Sequence, residues 1–161
     1  KIKILRKRKY FGEEVGDLFV KSSKLKGINC PASFVVSAID DLPAIWLASG
    51  LAKGKSYFKG ISELRYKESD RIKTMSQSLN NIGIKTITTN DTIKIYGDPN
   101  IKPKKIVKVS SNLDHRIAMT NFVAGQITGS KIWIKNFETV SSSFPNFLKL
   151  QKQIGAKYEI I

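Results

Sequence analysis

The residues best suited to chemistry sit together in one run, Glu63-Leu64-Arg65-Tyr66-Lys67-Glu68-Ser69-Asp70-Arg71, where six of nine side chains carry a formal charge and both signs occur. Directly behind it Ile72, Met75, Leu79 and Ile82 recur at three- and four-residue steps, the apolar stripe of an amphipathic helix. The charges therefore stand at or just before a helix N-terminus, where free N–H groups and the positive end of the dipole favour an anion. Lys67 and Arg71 share one helix face if the helix already includes both. Two cations beside the Glu68 carboxylate suit binding a small anion and moving a proton next to it. The competing reading is a solvated helix start with an i,i+3 ion pair between Glu68 and Arg71.

A second cluster, Asn112-Leu113-Asp114-His115-Arg116, holds the chain's single histidine between an acid and a guanidinium. It opens a helix rich in Ile117, Ala118, Met119, Phe122, Val123 and Ile127. An arginine placed there can grip a carboxylate or phosphate with two parallel bonds. Asp40, followed by Asp41, stands in the same relation to a third stretch, Leu42 to Ala52. Asp40 reads as its N-cap, with Pro43 in the first turn. Ser22-Ser23-Lys24-Leu25-Lys26-Gly27 reads as a polar loop whose serines and lysines can hold a phosphate or simply be solvated.

The elements that must position these groups follow from pattern and punctuation. Lys1–Lys9 and Val15–Val20 read as two strands around a turn at Phe11–Glu14. Phe34-Val35-Val36 reads as a short strand or turn. The helix behind Asp40 is apolar nearly all round, hence buried, and is closed by Gly54. Lys55–Lys59 is a strand, and Gly83 closes the helix behind the charged run. Ile84–Thr88 and Thr92–Tyr96 are paired strands around Asn90-Asp91.

The same plan then recurs. Ile106–Val109 is a strand, the Asp114 helix ends at Gly129, and Lys131–Lys135 is a strand. Ser143 precedes a helix with Pro145 in its first turn and Phe144, Phe147, Leu148 and Ile154 on it; Gly155 ends it, and Tyr158–Ile161 is a strand. Asp40 to Gly83 covers 43 positions and Asp114 to Gly155 covers 41. A duplicated α/β unit fits this better than a solenoid. The expected units are about 34–97 and 106–161, preceded by a strand pair within 1–21.

The 161 residues suffice for one domain with a real core. Forty-one per cent hydrophobic and 25% charged residues are ordinary for a globular protein. No run approaches the roughly 18 apolar residues of a membrane span, and the start lacks the apolar core of a signal peptide. It also lacks an initiator Met, so a fragment of a longer chain is expected. One Cys, Cys30, excludes an internal disulfide, and with one His it cannot build the usual zinc site. The net charge of +15 favours anionic partners, although Lys, Ile and Asn are abundant everywhere in the chain.

The charged run resembles the "LRxKESDR" signature of the 5-enolpyruvylshikimate-3-phosphate synthase family. Asp114-His115-Arg116-Ile117-Ala118-Met119 resembles its "DHRxAM", Ser143-Phe144-Pro145-Asn146-Phe147 its "SFPxF", and Ala38-Ile39-Asp40-Asp41-Leu42-Pro43 its "xIDExP". The four stand in the family's order and cover roughly residues 11–161. The resemblance implies an α/β fold of α+β type: about two βαβαββ units of an enolpyruvyl-transferase domain, plus strands of a preceding unit. The N-terminal half of such an enzyme, which supplies the other wall of the cleft, is absent, so this piece alone is expected to be inactive.

The activity implied is transfer of an enolpyruvyl group from phosphoenolpyruvate to the 5-hydroxyl of shikimate 3-phosphate, with release of phosphate. Residue by residue, the resemblance makes Asp40 a proton acceptor on the shikimate hydroxyl and Lys67 a shikimate 3-phosphate contact. Glu68 would handle the proton at the methylene carbon of phosphoenolpyruvate. Arg71 and Arg116 would hold its carboxylate and phosphate, with His115 near the same phosphate. Some family members carry Lys where this chain has Ser142. No metal or other cofactor, no nucleic acid and no membrane is implied; a cytoplasmic, monomeric full-length protein is. The alternatives are a related enolpyruvyl transferase acting on UDP-N-acetylglucosamine, a basic nucleic-acid-binding module suggested by the charge, and an inert fragment. The nucleic-acid module requires aromatics among exposed cations, whereas Trp46, Phe122, Trp133 and Phe147 are expected in the core.

Overall fold

The computed structural model describes residues 1–102 and 104–160. A hairpin of β1 (Ile2–Tyr10) and β2 (Glu13–Val20) comes first, antiparallel and exposed along nearly its whole length. After it come α1 (Ala32–Ser37), α2 (Leu42–Gly50), β3 (Gly54–Lys59), α3 (Arg71–Ile82), β4 (Lys85–Thr88) and β5 (Thr92–Gly97). Then follow β6 (Ile106–Ser110), α4 (His115–Thr128), β7 (Lys131–Lys135) and α5 (Phe147–Gln153).

The chain is a mixed α/β structure with two parallel crossovers. The strand β5 lies between β3 and β4, antiparallel to both, and a bridged segment at Lys26 and Asn29 runs parallel to β3. In the second half β6 and β7 are parallel, joined through α4. Each parallel crossover thus carries one buried helix, α2 or α4, and the two helices pack on each other.

α3 shows how sequence becomes packing. Asp70 caps it, its carboxylate accepting from the Lys73 N–H at 2.9 Å. Ile72, Met75, Leu79 and Ile82 are all buried, each stabilising by about 1.5–3 kcal/mol. Gly83 stops the helix at φ 111°, where a Cβ is disfavoured. The main core runs through both halves, from Trp46, Phe58 and Ile93 to Val107, Val109 and Ile117. A satellite cluster forms where Phe122 meets Phe147 edge-on, 5.3 Å between ring centres.

Several local expectations change. Phe34–Val36 is helical, inside α1, and buries only Val35. The strand place beside β3 is taken instead by the segment around Lys26–Asn29, read from sequence as a loop. Backbone pairing with β3, which no side-chain pattern announces, decides this. The helix after Asp40 stops at Gly50, because Leu51 breaks from helical geometry, and Gly54 begins β3. Residues 137–142 form a 3-10 turn, and α5 begins at Phe147, past Pro145.

Residues 158–160 form no strand; Ile161 lies outside the described residues. Trp133 is 43% exposed, because alternation along β7 turns it away from the core face.

Candidate active site

Arg71 is the centre of the polar cluster. It is the first residue of α3, its side chain is 1% exposed, and its three guanidinium nitrogens meet three carboxylates. Nε donates to Asp114 Oδ2 at 2.8 Å, Nη1 to Asp40 Oδ1 at 2.8 Å and Nη2 to Glu68 Oε2 at 2.6 Å. Charge-assisted bonds of this length are the strong kind.

The three acids come from three places. Asp114 caps α4, accepting from the N–H groups of Arg116 and Ile117 at 3.0 and 3.4 Å. Asp40 lies in a 3-10 turn, Ile39–Asp41, just before α2, and makes no cap bond; α2 begins one residue after Asp41. The expected N-cap at Asp40 is therefore absent, because its carboxylate is turned to the cations instead. Glu68 lies between the 3-10 turn Ser62–Tyr66 and α3. Lys67 is extended there and outside the helix, so Lys67 and Arg71 share no helix face.

Asp40 is ringed by positive charge. Besides Arg71, Lys67 Nζ stands 3.8 Å from Oδ1 and Arg116 Nη2 3.7 Å from Oδ2. Arg116 Nη1 also donates to the Asp40 carbonyl at 3.0 Å. Burial pushes the Asp40 carboxyl up, but the Arg71 hydrogen bond and the charges of Arg116, Lys67 and Arg71 outweigh it and hold it below the usual carboxylate range. For Lys67, the Glu63 hydrogen bond at 2.8 Å is the largest influence; with the charges of Glu63 and Asp40 it raises the ammonium above its ordinary value. Burial works against the charge on Arg71, but Asp114, Asp40 and Glu68 more than compensate.

Of the six residues singled out from sequence, Asp40, Lys67, Glu68, Arg71 and Arg116 form one continuous network. His115, the first residue of α4, is part-exposed and makes no side-chain hydrogen bond among the described residues. Beside the network an apolar groove opens between α2 and α4, lined by Pro43, Leu47, Met119 and Val123, with Asp40 and Arg116 at one end. A larger groove around Gln77, Asn81, Lys108 and Trp133 contains no carboxylate. Among the described residues no group of His, Cys, Asp and Glu is placed to hold a metal ion.

Sequence reasoning read Asp114 as a cap and missed its pairing with Arg71. It also missed Ser69, whose hydroxyl donates to Asp114 Oδ2 at 3.1 Å. The rest of the charged run is structural: Arg65 Nη1 holds Asp70 Oδ2 at 2.7 Å, and its Nε reaches the Asn90 carbonyl at 2.9 Å. Ser142 spends its hydroxyl on the Thr139 carbonyl at 2.7 Å. The 3-10 turn at residues 137–142 is tied to the segment before Asp114, because Thr139 Oγ1 donates to the Leu113 carbonyl at 2.8 Å. Asn112 and Leu113, which lead β6 into Asp114, both have left-handed backbone, φ 50° and 64°.

This frame is shared with enolpyruvyl transferase structures. That of the enolpyruvyl transferase NikO from Streptomyces tendae matches 73% of this chain and 25% of that one at TM-score 0.57 and 15% identity, a likeness of fold. EPSP synthase from Acinetobacter baumannii superimposes far more closely, at TM-score 0.91 and 38% identity over 98% of this chain and 37% of that one.

The sequence model of EPSP synthase (3-phosphoshikimate 1-carboxyvinyltransferase) matches residues 5–150, and the chain belongs to that family. The 3-phosphoshikimate 1-carboxyvinyltransferase of Zymomonas mobilis is 40% identical over 99% of this chain, and that of Legionella pneumophila strain Paris 43% over 98%. The chain spans about 36% of the length of these relatives.

Proposed function

We propose that this chain is the C-terminal part of a 3-phosphoshikimate 1-carboxyvinyltransferase and contributes one wall of its active site. The whole enzyme moves the enolpyruvyl group of phosphoenolpyruvate to the 5-hydroxyl of shikimate 3-phosphate and releases phosphate. One observation carries the reading: Asp40, Arg71 and Asp114, drawn from three separate motifs, meet within hydrogen-bonding distance. Repeat-like units at about 34–97 and 106–161, after the β1–β2 hairpin, form part of one domain, and the missing N-terminal part closes the cleft.

The chemistry requires these residue types. Adding the 5-hydroxyl across the double bond of an enol phosphate builds a tetrahedral intermediate, so one group takes the hydroxyl proton and another delivers a proton to the methylene carbon. Breaking the carbon–oxygen bond to phosphate and removing a proton from the new methyl group then restores the double bond as the enol ether product. Asp40 takes the first role and Glu68 the second; positioned groups of this kind contribute roughly 10²–10⁴-fold each. Arg71 and Arg116 hold the carboxylate and phosphate of phosphoenolpyruvate, His115 adds a bond near that phosphate, and Lys67 holds shikimate 3-phosphate. Fixed cations stabilise the anions throughout without rearranging.

The substrates are polyanions, which suits Arg71: its two terminal nitrogens are held by side chains 46% exposed, able to give way to a substrate oxyanion. Against nucleic-acid binding, Trp46, Phe122 and Phe147 are buried in the core and offer no face for a base to stack on. No helix of the described residues is long and apolar enough to cross a membrane; a cytoplasmic monomer is the reading for the whole protein.

The test is a titration of this chain by NMR with shikimate 3-phosphate and phosphoenolpyruvate, using shikimate and inorganic phosphate as controls. Saturable shifts at Asp40, Lys67, Arg71 and Arg116 are expected. Phosphate release by the full-length protein, dependent on both substrates, completes it; a folded full-length protein with no such turnover refutes the proposal.

A further inference from the structure

We infer that Asp114, braced by Ser69, is the positioning residue that aims Arg71 into the active site. The inference rests on the transferase reading above and assigns a role to two residues outside its substrate-contacting set.

The three carboxylates on Arg71 are not equivalent. Asp40 and Glu68 have side chains 46% exposed, whereas Asp114 has none of its side chain exposed. Asp40 and Glu68 have room to move. Asp114 does not: Oδ1 is fixed by two backbone N–H groups at the start of α4, and Oδ2 takes both the Arg71 Nε bond and the Ser69 hydroxyl. The helix N-terminus and the guanidinium offset its charge from opposite sides.

A guanidinium is a rigid planar fork. With Nε pinned to a fixed carboxylate, the directions of Nη1 and Nη2 follow, and both already face proton-handling groups. An incoming carboxylate or phosphate then competes only with the two movable acids. Asp114 never touches substrate in this arrangement; it removes the search over arginine rotamers that binding would otherwise have to restrict. It also ties the two halves together, because Arg71 begins α3 and Asp114 begins α4.

The full-length protein tests this with Asp114→Asn. Asparagine is as good an N-cap as aspartate, so α4 keeps its start while Arg71 Nε loses its anion. The expected result is a KM for phosphoenolpyruvate raised about 10- to 100-fold, with the KM for shikimate 3-phosphate within about twofold of wild type. Ser69→Ala shifts the same constant in the same direction by less. In an Arg71→Gln background the further loss from Asp114→Asn disappears. A loss that persists there, or equal damage to both KM values, overturns the inference and reduces Asp114 to a structural cap.

A second readout needs no turnover: the Arg71 Nε–H should exchange slowly with solvent in the wild type and quickly in Asp114→Asn. Rapid exchange in the wild type overturns the anchoring outright. A wild type without transferase activity refutes the parent reading instead, and slow, Asp114-dependent exchange upholds the anchoring on its own.

Discussion

Arg71 Nε and Asp114 Oδ2 are 2.8 Å apart although their residues are separated by 43 positions and begin helices in different halves of the chain. Both are essentially closed to solvent. Arg71→Met, which keeps the side chain's bulk and drops its charge, leaves the Asp114 carboxylate buried without a cation beside it. That should cost about 3–5 kcal/mol of stability, measured by denaturant unfolding of the full-length protein. A stability change under about 1 kcal/mol would mean that the helix N-terminus alone satisfies Asp114.

The Asp40 carboxyl is held below its ordinary value in the folded state. A group depressed in this way contributes stability that is present above its unfolded pKa of about 3.9 and is lost as pH falls through the folded value. Asp40→Asn removes that contribution. The melting temperatures of wild type and variant should therefore differ most near neutrality and converge as pH drops below about 4. A gap constant from pH 7 to pH 3 would contradict the assignment.

The Lys67 ammonium is raised first of all by its hydrogen bond to Glu63. A raised lysine has the opposite linkage: its contribution is complete below the unfolded pKa and fades as pH climbs through the folded one. Glu63→Gln should lower the Lys67 titration midpoint, read by NMR at Nζ or Cε. An unmoved midpoint would transfer the effect to Asp40, the other acid beside Lys67.

Gly97 ends β5 against the C-terminal end of α2, where an added Cβ would run into the Ser49 and Ala52 carbonyls. Backbone oxygens cannot swing aside as a side chain can. Gly97→Ala should cost about 1–3 kcal/mol, seen as a lower unfolding midpoint without change in the denaturant slope.

Leu113 holds a left-handed backbone at φ 64° and is 62% exposed. That conformation costs a non-glycine residue roughly 1–2 kcal/mol, and glycine returns about 0.5–1 kcal/mol of it as lost chain entropy. Leu113→Gly should then stabilise by about 0.5–1 kcal/mol. Any loss of stability would mean that the leucine side chain makes up for the strain through contacts.

Much of this was legible from residue order because it depends on local physics. The period of Ile72, Met75, Leu79 and Ile82 sets one face of α3, Gly83 and Gly129 stop helices with left-handed backbone, and Asp114 caps α4 through its own N–H groups. The motifs around Asp40, Lys67, Glu68, Arg71 and Arg116 announced a candidate site because charged groups are costly to gather without use. Phe34–Val36, which reads as a short strand or turn, is helical, and the segment near Lys26, which reads as a loop, pairs with β3, because strand partnership lies in backbone pairing between distant segments.

The sequence by itself determined the apolar face, cap and stop of α3, the cap and stop of α4 and the charged groups available for chemistry, since each depends on neighbours within a few positions. Only the tertiary structure decided what those charges face. Arg71 could have been a solvated cation beside Glu68. Packing α3 against α4 instead closed it from water and delivered Asp114, while the turn before α2 delivered Asp40. The physical reason is burial: once water is excluded, a guanidinium must find its carboxylates within the fold, and which ones it finds is set by how the helices meet.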